Sequence, residues 1–382
     1  MTRRSGSKHR TTVFYIDPMS MRNLARYDFH LLEHLVSDVY YFCSRHYDYK
    51  PIPNVRFRKV FRYNQINFIA LKTASYLLSY LLVLFHTLRI RPDVIHIQWC
   101  KLPQADSLYI WLIKKLTRAR IVFTAHNVLP HNTGLRYKNI YSRIYNQMAD
   151  AIIVHSARTK DEITSQFDVD PAKIYVINHG IIPMEKGKTQ SDTPDLYKQF
   201  EGRFIITSLG EQSHYKGIDM LADVWLSTPQ LRCSGDLMLI IAGKNKGINL
   251  SELSLLDNVY LKDEKISDDE YIRLLRLTDV YVLPYRDISQ SGALLTLMAE
   301  HIPVAVTDVG GLTDPFQYGN IGWIIPKPTR EALRDTLLHI VANKEEARNI
   351  KADQATWQTV CSHYDWDLIS RQTQQLYENL AQ

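Results

Sequence analysis

The chain holds 382 residues, 45% of them hydrophobic and 23% charged, an ordinary globular composition and a length suited to two domains rather than one core. No low-complexity tract or internal repeat stands out, and Cys43, Cys100, Cys233 and Cys361 lack CxxC or metal-ligand spacing, as expected of a reduced cytosolic protein. Residues 1–125 carry 20 Lys and Arg against 7 Asp and Glu, a net +13, whereas the remainder carries a net −7.

A basic first half points to an anionic partner: a membrane surface, a phosphorylated acceptor or nucleic acid. The last of these finds no recognisable binding motif. Met1 to Arg10 reads as a basic, polar tail without the apolar core of a signal peptide.

Thr12 to Ile16 reads as a strand, followed by a loop and a helix from Asn23 to Leu35, with Leu24, Tyr27, Leu31, Leu32 and Leu35 at helical spacing. Val55 to Arg62 alternates apolar and basic residues, a strand with one wet, cationic face formed by Arg56, Arg58, Lys59 and Arg62. Ile66 to Ile90 is the most apolar part of the chain. Lys72 breaks that run, and Ala74 to Phe85 is too short to span a bilayer. It reads as a helix packed on the first sheet, with an interfacial helix beside a basic strip as the alternative. Asp93 to Gln98 and Ile121 to Thr124 are buried-type strands around a helix, Ser107 to Leu116. His126 comes just past the second strand, where ligands of α/β sheets bind. It is therefore the first catalytic candidate, with His131 the weaker one. A helix from Tyr141 to Met148, a strand from Ala151 to His155, a Ser156-capped helix to Phe167 and a strand from Ile174 to Ile177 follow. Gly187 to Thr193 reads as a polar linker.

In the second half, the strand Phe204 to Leu209 feeds a polar loop, Gly210 to Gly217, and a helix from Ile218. Strands Leu237 to Ala242 and Val259 to Leu261 precede a helix from Asp268 to Leu277. Val280 to Leu283 is then a strand ended by Pro284. A polar loop runs to Gln290, Ser291-Gly292 opens a helix, and Pro303 to Thr307 is a strand closed by Gly310-Gly311. A helix N-terminus carries unpaired N–H groups and about half a positive charge. Gln290, Ser291, Gly292 and Ala293 thus form a cradle for a phosphate or diphosphate. A strand at Ile321 to Ile325, a helix from Arg330 to Val341 and a terminal helix to Leu380 complete the chain.

Leu283-Pro284-Tyr285, Ser289-Gln290-Ser291-Gly292 and Pro303 to Gly311 resemble the donor-binding segment of the retaining GT-B glycosyltransferases of family 4, common in bacterial polysaccharide and lipopolysaccharide assembly. Ala125 to His131, Asn178-His179-Gly180, Lys216-Gly217 and Tyr364-Asp365-Trp366 with its terminal helix extend the likeness over nearly the whole chain. It is weakest before residue 90.

The resemblance implies the GT-B fold, an α/β architecture of two doubly wound Rossmann-like domains facing a cleft. Residues 1–183 would form the acceptor-side domain and 184–363 the nucleotide-sugar-binding domain, with 364–382 a helix crossing back to the first. The implied reaction moves a hexosyl from a nucleoside-diphosphate sugar to a hydroxyl of a growing glycan or lipid-linked glycan, with retention. The implied setting is cytoplasmic, peripheral at the inner face of the plasma membrane, with an anionic membrane surface as a candidate partner.

His126 and Asn127 would then face the donor sugar, and Lys216, Gly217 and Gln290 to Ala293 the diphosphate. Asp263, Lys265 and Ile266 would lie at the base, and Arg22, Asn23, Arg26 and Tyr27 on the acceptor side. Two departures bear on the same pocket. Ile288 and Thr296 stand where the family carries two Glu residues, and Glu211 stands where it carries an Arg. Lys216 and the helix-end amides are left to neutralise the diphosphate. No Asp-x-Asp motif is present, so no metal is expected, and no cofactor beyond the donor substrate. Two other classes stay open. One is a catalytically inactive sugar-nucleotide-binding partner of another transferase, favoured by Ile288, Thr296 and Glu211. The other is a different Rossmann enzyme, disfavoured by the missing Gly-x-Gly-x-x-Gly turn after Ile16.

Overall fold

The computed structural model describes residues 10–21, 24–130, 135–184, 198 and 200–382. Arg22, Asn23, His131 and the linker 187–193 lie outside these residues. The chain divides into two units, Met1–Gly180 with Tyr364–Gln382, and Ile181–His363.

The first unit is built on a seven-stranded sheet of order β3-β2-β1-β4-β5-β6-β7, parallel throughout. Its strands are β1 (Thr12–Ile16), β2 (Asp38–Ser44), β3 (Val55–Phe61), β4 (Val94–Ile97), β5 (Arg120–Thr124), β6 (Ala151–Val154) and β7 (Ile174–Val176). Continuous apolar runs such as Val94–Ile97 are what a parallel sheet covered on both faces needs. β2 was passed over in the sequence reading. It pairs with β1 in the register Thr12↔Asp38 to Ile16↔Phe42, and its aromatic residues fill the core against Phe14 and Tyr15.

The helices between these strands are α1 (Leu24–Glu33), α2 (Ile69–Ile90), α3 (Pro103–Leu116), α4 (Lys138–Arg143) and α5 (Ala157–Phe167). α4 runs on into a π-helical turn, Ile144–Met148. The Ser156 hydroxyl caps α5 by accepting from the Thr159 amide at 3.0 Å.

Three expectations are corrected here. The helix read in the apolar run Ile66 to Ile90 spans Ile69–Ile90, but it packs through one narrow face, Tyr76, Ser79, Tyr80, Val83 and Thr87, and leaves Leu71, Leu78, Leu81, Leu82 and Leu88 exposed. The basic residues of β3 do not share one face. The Arg56 and Arg58 guanidinium groups lie over the Tyr40 ring, while Lys59 donates to the Tyr47 carbonyl. Tyr27, expected on the acceptor side, is buried among His126, His155, His179 and Trp366, with ring centroids 4.8–5.4 Å away.

The second unit carries a six-stranded parallel sheet of order β10-β9-β8-β11-β12-β13. Its strands are β8 (Phe204–Leu209), β9 (Leu237–Ala242), β10 (Val259–Lys262), β11 (Val280–Leu283), β12 (Val304–Thr307) and β13 (Gly322–Ile325). Helices α6 (Ile218–Ser227), α7 (Pro229–Arg232), α8 (Asp268–Leu277), α9 (Gly292–Ala299), α10 (Arg330–Ala342), α11 (Lys344–Ala352) and α12 (Gln354–Ser362) connect and cover them. In each sheet the strand order reverses once, at β1/β4 and at β8/β11. The carboxyl ends of strands at such a reversal are where open α/β sheets take ligands.

The last helix, α13 (Trp366–Ala381), belongs to the first unit. Its Ser370 hydroxyl donates to the Leu31 carbonyl at 3.1 Å, and Gln374 accepts from the Ser37 hydroxyl at 2.9 Å. Tyr377 hydrogen-bonds His96 on β4. Trp366 lies flat against Gly180, where a Cβ would come within 2.3 Å of its ring. Trp366→Ala should therefore open a cavity under the helix and cost about 3–5 kcal/mol. A thermal melt reads this, and an unchanged melting temperature would show that α13 is held without its tryptophan.

Candidate functional site

In the second unit, the loops after β8 and β11 meet at the reversal of strand order. Gly217, at φ +69°, is pressed so closely to this junction that a Cβ would lie 1.9 Å from the Pro284 carbonyl oxygen. Only glycine tolerates both the left-handed backbone and the contact. Gly310 plays the same part on the other side, where a Cβ would sit 1.6 Å from the Ile288 carbonyl. Arg286 ties the loops together. Its guanidinium grips Asp219 in a bidentate pair at 2.7 and 2.8 Å, and its amide donates to the Tyr215 carbonyl at 2.8 Å. Burial raises the Asp219 pKa, but the hydrogen bonds and charge of Arg286 outweigh it and the net shift is downward.

Lys216 and the start of α9 share one neighbour, Tyr285. The Lys216 ammonium stands 5.9 Å from its ring, and the Tyr285 hydroxyl reaches the Ser291 side chain. Lys216 is half-buried, and burial lowers its pKa while the charge of Glu211 acts in the opposite sense. Among the described residues no carboxylate lies within ion-pair distance of its ammonium. Glu211 is exposed and turns instead to Lys246, 3.6 Å away.

Ser291 is buried and caps α9 through the Leu294 amide at 3.3 Å. The amides of Gly292 and Ala293 are left without an intrahelical partner, and the space in front of Gly292 is open. Gln290 is half-buried in the same loop. Thr296 donates its hydroxyl proton to the Gly292 carbonyl at 3.1 Å, which leaves its oxygen lone pairs as acceptors.

Of the three residues expected at the base, Asp263 accepts from the Asn245 amide at 3.0 Å, so it ties the loop after β10 to the loop after β9. Lys265 is exposed, and the Ile266 side chain is buried.

In the first unit, a pocket of ≈ 380 Å³ opens at the carboxyl ends of β4 and β5, lined by Met19, Trp99, Lys101, His126, Asn127 and Tyr141 among others. A second hollow of ≈ 510 Å³, lined by Arg10, Asp93 and Glu378, lies where β1 and β4 begin. That edge of a parallel sheet is the wrong one for a ligand.

His126 is half-buried, its ring stacked on Trp99 at 4.3 Å with the planes 6° apart. Its Nδ1 lies 3.2 Å from His155 Nε2, and its Nε2 lies 2.9 Å from the Gln98 Oε1. His155 Nδ1 faces the Ile177 carbonyl at 2.9 Å and must donate to it. His155 Nε2 is then an acceptor, so His126 Nδ1 carries the hydrogen. A neutral His126 consequently holds its lone pair on Nε2 and asks the Gln98 NH₂ to face it, whereas a charged one would take the Gln98 oxygen.

Burial pushes the His126 pKa well down, and His155, His179 and His96 add to the shift. His155 falls to about 4, and His96 and His179 to about 3, burial being the first cause in each. A neutral imidazole with both nitrogens engaged is a polarising and positioning group rather than a proton acceptor. Arg26, on α1, is half-buried.

Gln98, Trp99, Lys101 and His155 escaped the sequence reading, although Gln98, Trp99 and His155 each follow a strand, the signal that singled out His126. The Arg286–Asp219 pair has no such signal, since its partners are 67 residues apart.

Residues 24–184 match the profile of Glycosyltransferase Family 4, and residues 203–343 that of Glycosyl transferases group 1. The lipopolysaccharide core biosynthesis mannosyltransferase of Rhizobium meliloti is 29% identical over 276 residues, covering 64% of this chain and 71% of that protein. Among solved structures, the Anabaena protein HepE in complex with UDP superposes with a TM-score of 0.70 at 14% identity, over 97% of this chain and 100% of the other. Sucrose-phosphate synthase from Thermosynechococcus elongatus gives 0.69 at 17% identity, over 97% and 99%.

The buried histidines carry a pH signature. Each folded pKa lies below the unfolded value of about 6.5, so as pH falls below 6.5 the unfolded chain takes up a proton that the folded one refuses, and stability is lost. Asp28 and Asp106, raised by burial to about 6 and about 7, act in the opposite direction over the same range. His155→Gln removes one of the destabilising groups. Its loss of stability from pH 7 to pH 5 should be smaller than the wild type's by about 2 kcal/mol. Melting both proteins at both pH values tests this, and equal losses would mean that burial does not lower the His155 pKa.

Proposed function

As this chain belongs to the family 4 glycosyltransferases of GT-B fold, we propose that it transfers a hexosyl from a nucleoside-diphosphate sugar, with retention, to a hydroxyl of a glycan or lipid-linked glycan in cell-surface polysaccharide synthesis. The observation that carries this reading is the grouping of Lys216, the free amides of Gly292 and Ala293, and Tyr285 at the carboxyl edge of the second sheet. They form a cationic, half-buried cradle with no carboxylate of its own paired to the lysine. The names of two similar proteins support it, one a mannosyltransferase of the lipopolysaccharide core and the other crystallised with UDP.

In such a reaction the sugar–phosphate bond breaks and negative charge grows on the departing diphosphate. Lys216 and the α9 amides meet that charge where it develops, in a place already partly stripped of water, and they do so without a resident metal. Ile288 cannot accept a hydrogen bond from the sugar through its side chain. Thr296, whose proton is already given to Gly292, keeps acceptor lone pairs for a ribose hydroxyl, the task that a carboxylate would otherwise perform. In the first unit, the pocket beside His126, with its Trp99 wall, suits the flat apolar face of a sugar ring. The protein would work in the cytoplasm, peripheral to an anionic membrane surface.

Lys216→Ala should weaken nucleoside-diphosphate binding and turnover by at least about tenfold, the loss of one charge-assisted contact of roughly 1.5–3 kcal/mol. A folded mutant with wild-type affinity for the diphosphate would remove the lysine from the site.

His126→Ala should lower kcat and kcat/KM together while the affinity for the free nucleotide stays put, because the nucleotide-binding loops belong to the other unit. Turnover, calorimetric nucleotide affinity and melting temperature on the one variant decide the matter. Wild-type turnover would end the assignment, as would a mutant that fails only by unfolding.

A further inference from the structure

α2 is built inside out. Its buried face carries hydroxyls, and three of them are paired: Tyr76 donates to Asp106 at 2.8 Å, and Ser79 and Thr87 donate to the Val60 and Val83 carbonyls at 2.9 and 2.8 Å. Its outer face is a stripe of Leu71, Ala74, Leu78, Leu81, Phe85 and Leu88 at helical spacing. Leu78, Leu81 and Phe85 are 57%, 52% and 56% exposed. The neighbouring α3 adds Leu108 and Trp111, 55% and 45% exposed. A surface helix of a soluble unit normally turns the other way.

The helix is long and apolar enough to cross a bilayer, yet only 22% of its most apolar window is buried in the protein. Crossing is ruled out by topology. β3 and β4, on either side of α2, lie in one sheet, and a span would place them on opposite sides of the membrane. Between residues 49 and 92 the chain has eight Lys and Arg and no Asp or Glu. Lys72 and Arg89 stand on α2 itself, and the charges of Arg58 and Arg89 bear on its His86, so pairing two copies about a two-fold axis on this face would bring cations together. Negative headgroups around the buried leucines would meet them instead.

We propose that α2, with Leu108 and Trp111 of α3, lies flat on an anionic lipid surface as the docking face of the first unit. Insertion of the leucines drives binding, and the basic residues select the charge. This names the element behind the membrane attachment proposed above. Because vesicle binding is read without turnover, its failure and the failure of the transferase reading remain distinguishable.

The test is flotation of the full chain with vesicles of phosphatidylcholine alone and of phosphatidylcholine with phosphatidylglycerol. The wild type should float with the anionic vesicles, less so in high salt. Leu78→Ser/Leu81→Ser/Phe85→Ser should bind them at least about a hundredfold more weakly, with an unchanged melting temperature because the three side chains are exposed. A second readout avoids any question of folding. Brominated lipid should quench a share of the tryptophan fluorescence that Trp111→Phe removes. A wild type that ignores anionic vesicles overturns the proposal, as does a triple variant that binds like the wild type. So does a dimer that the triple variant dissolves while no vesicle binding is seen.

Discussion

Tyr377 and His96 meet across 281 residues of chain, and the first unit depends on that contact. His96 sits on β4 in the middle of a parallel sheet, fully buried. A polar ring there is tolerable only if both nitrogens find partners. One partner is the Thr124 hydroxyl at 2.6 Å, and the other comes from α13, the last helix of the chain. Gln98 bonds the same pair and passes the order on to His126, and His126 passes it to His155 and the Ile177 carbonyl. A row of neutral groups thus runs from the carboxyl terminus of the chain to the mouth of a pocket. Each member orients the next. The low pKa values follow from the same burial that makes the row necessary.

The second unit solves a different problem. The diphosphate cradle proposed there needs backbone amides and a cation brought close, and neither should be neutralised by the protein itself. Two glycines let the loops approach to carbonyl contact, and Arg286 spends its charge on Asp219 to hold them there. Lys216 is left as the cation without a carboxylate beside it, and Glu211 is drawn off to Lys246. The arginine is structural and the lysine available. Position in the loop does not decide this. The location of the nearest carboxylate does.

α2 shows why hydrophobic periodicity identifies a helix more securely than it identifies the inside. Both of its faces are largely apolar, so the pattern marks the helix without choosing a side. The face that went in carries the aromatic rings of Tyr76 and Tyr80 and the Val83 side chain, which fill the core. Its Tyr76, Ser79 and Thr87 hydroxyls find partners there, so that burying them costs little.

Much of the architecture was legible in the residues alone. Apolar runs ended by Pro284 or Gly310 marked strands, Ser156 and Ser291 marked helix starts, and the strand-loop-helix order after Leu209 and Leu283 placed the two loops that meet at the reversal of strand order, because these are local properties of backbone and cap. β2 was lost because an aromatic strand between two loops has no strong alternation to announce it. Tyr27 fell at the apolar spacing of its helix and was also an acceptor-side candidate; the fold buries it among three histidines and Trp366. Only the folded chain could pair Arg286 with Asp219, set Glu211 aside, stack His126 on Trp99 and turn the leucines of α2 to solvent. Each of these outcomes compares partners far apart in sequence for the same buried space, and no local pattern of residues carries that comparison.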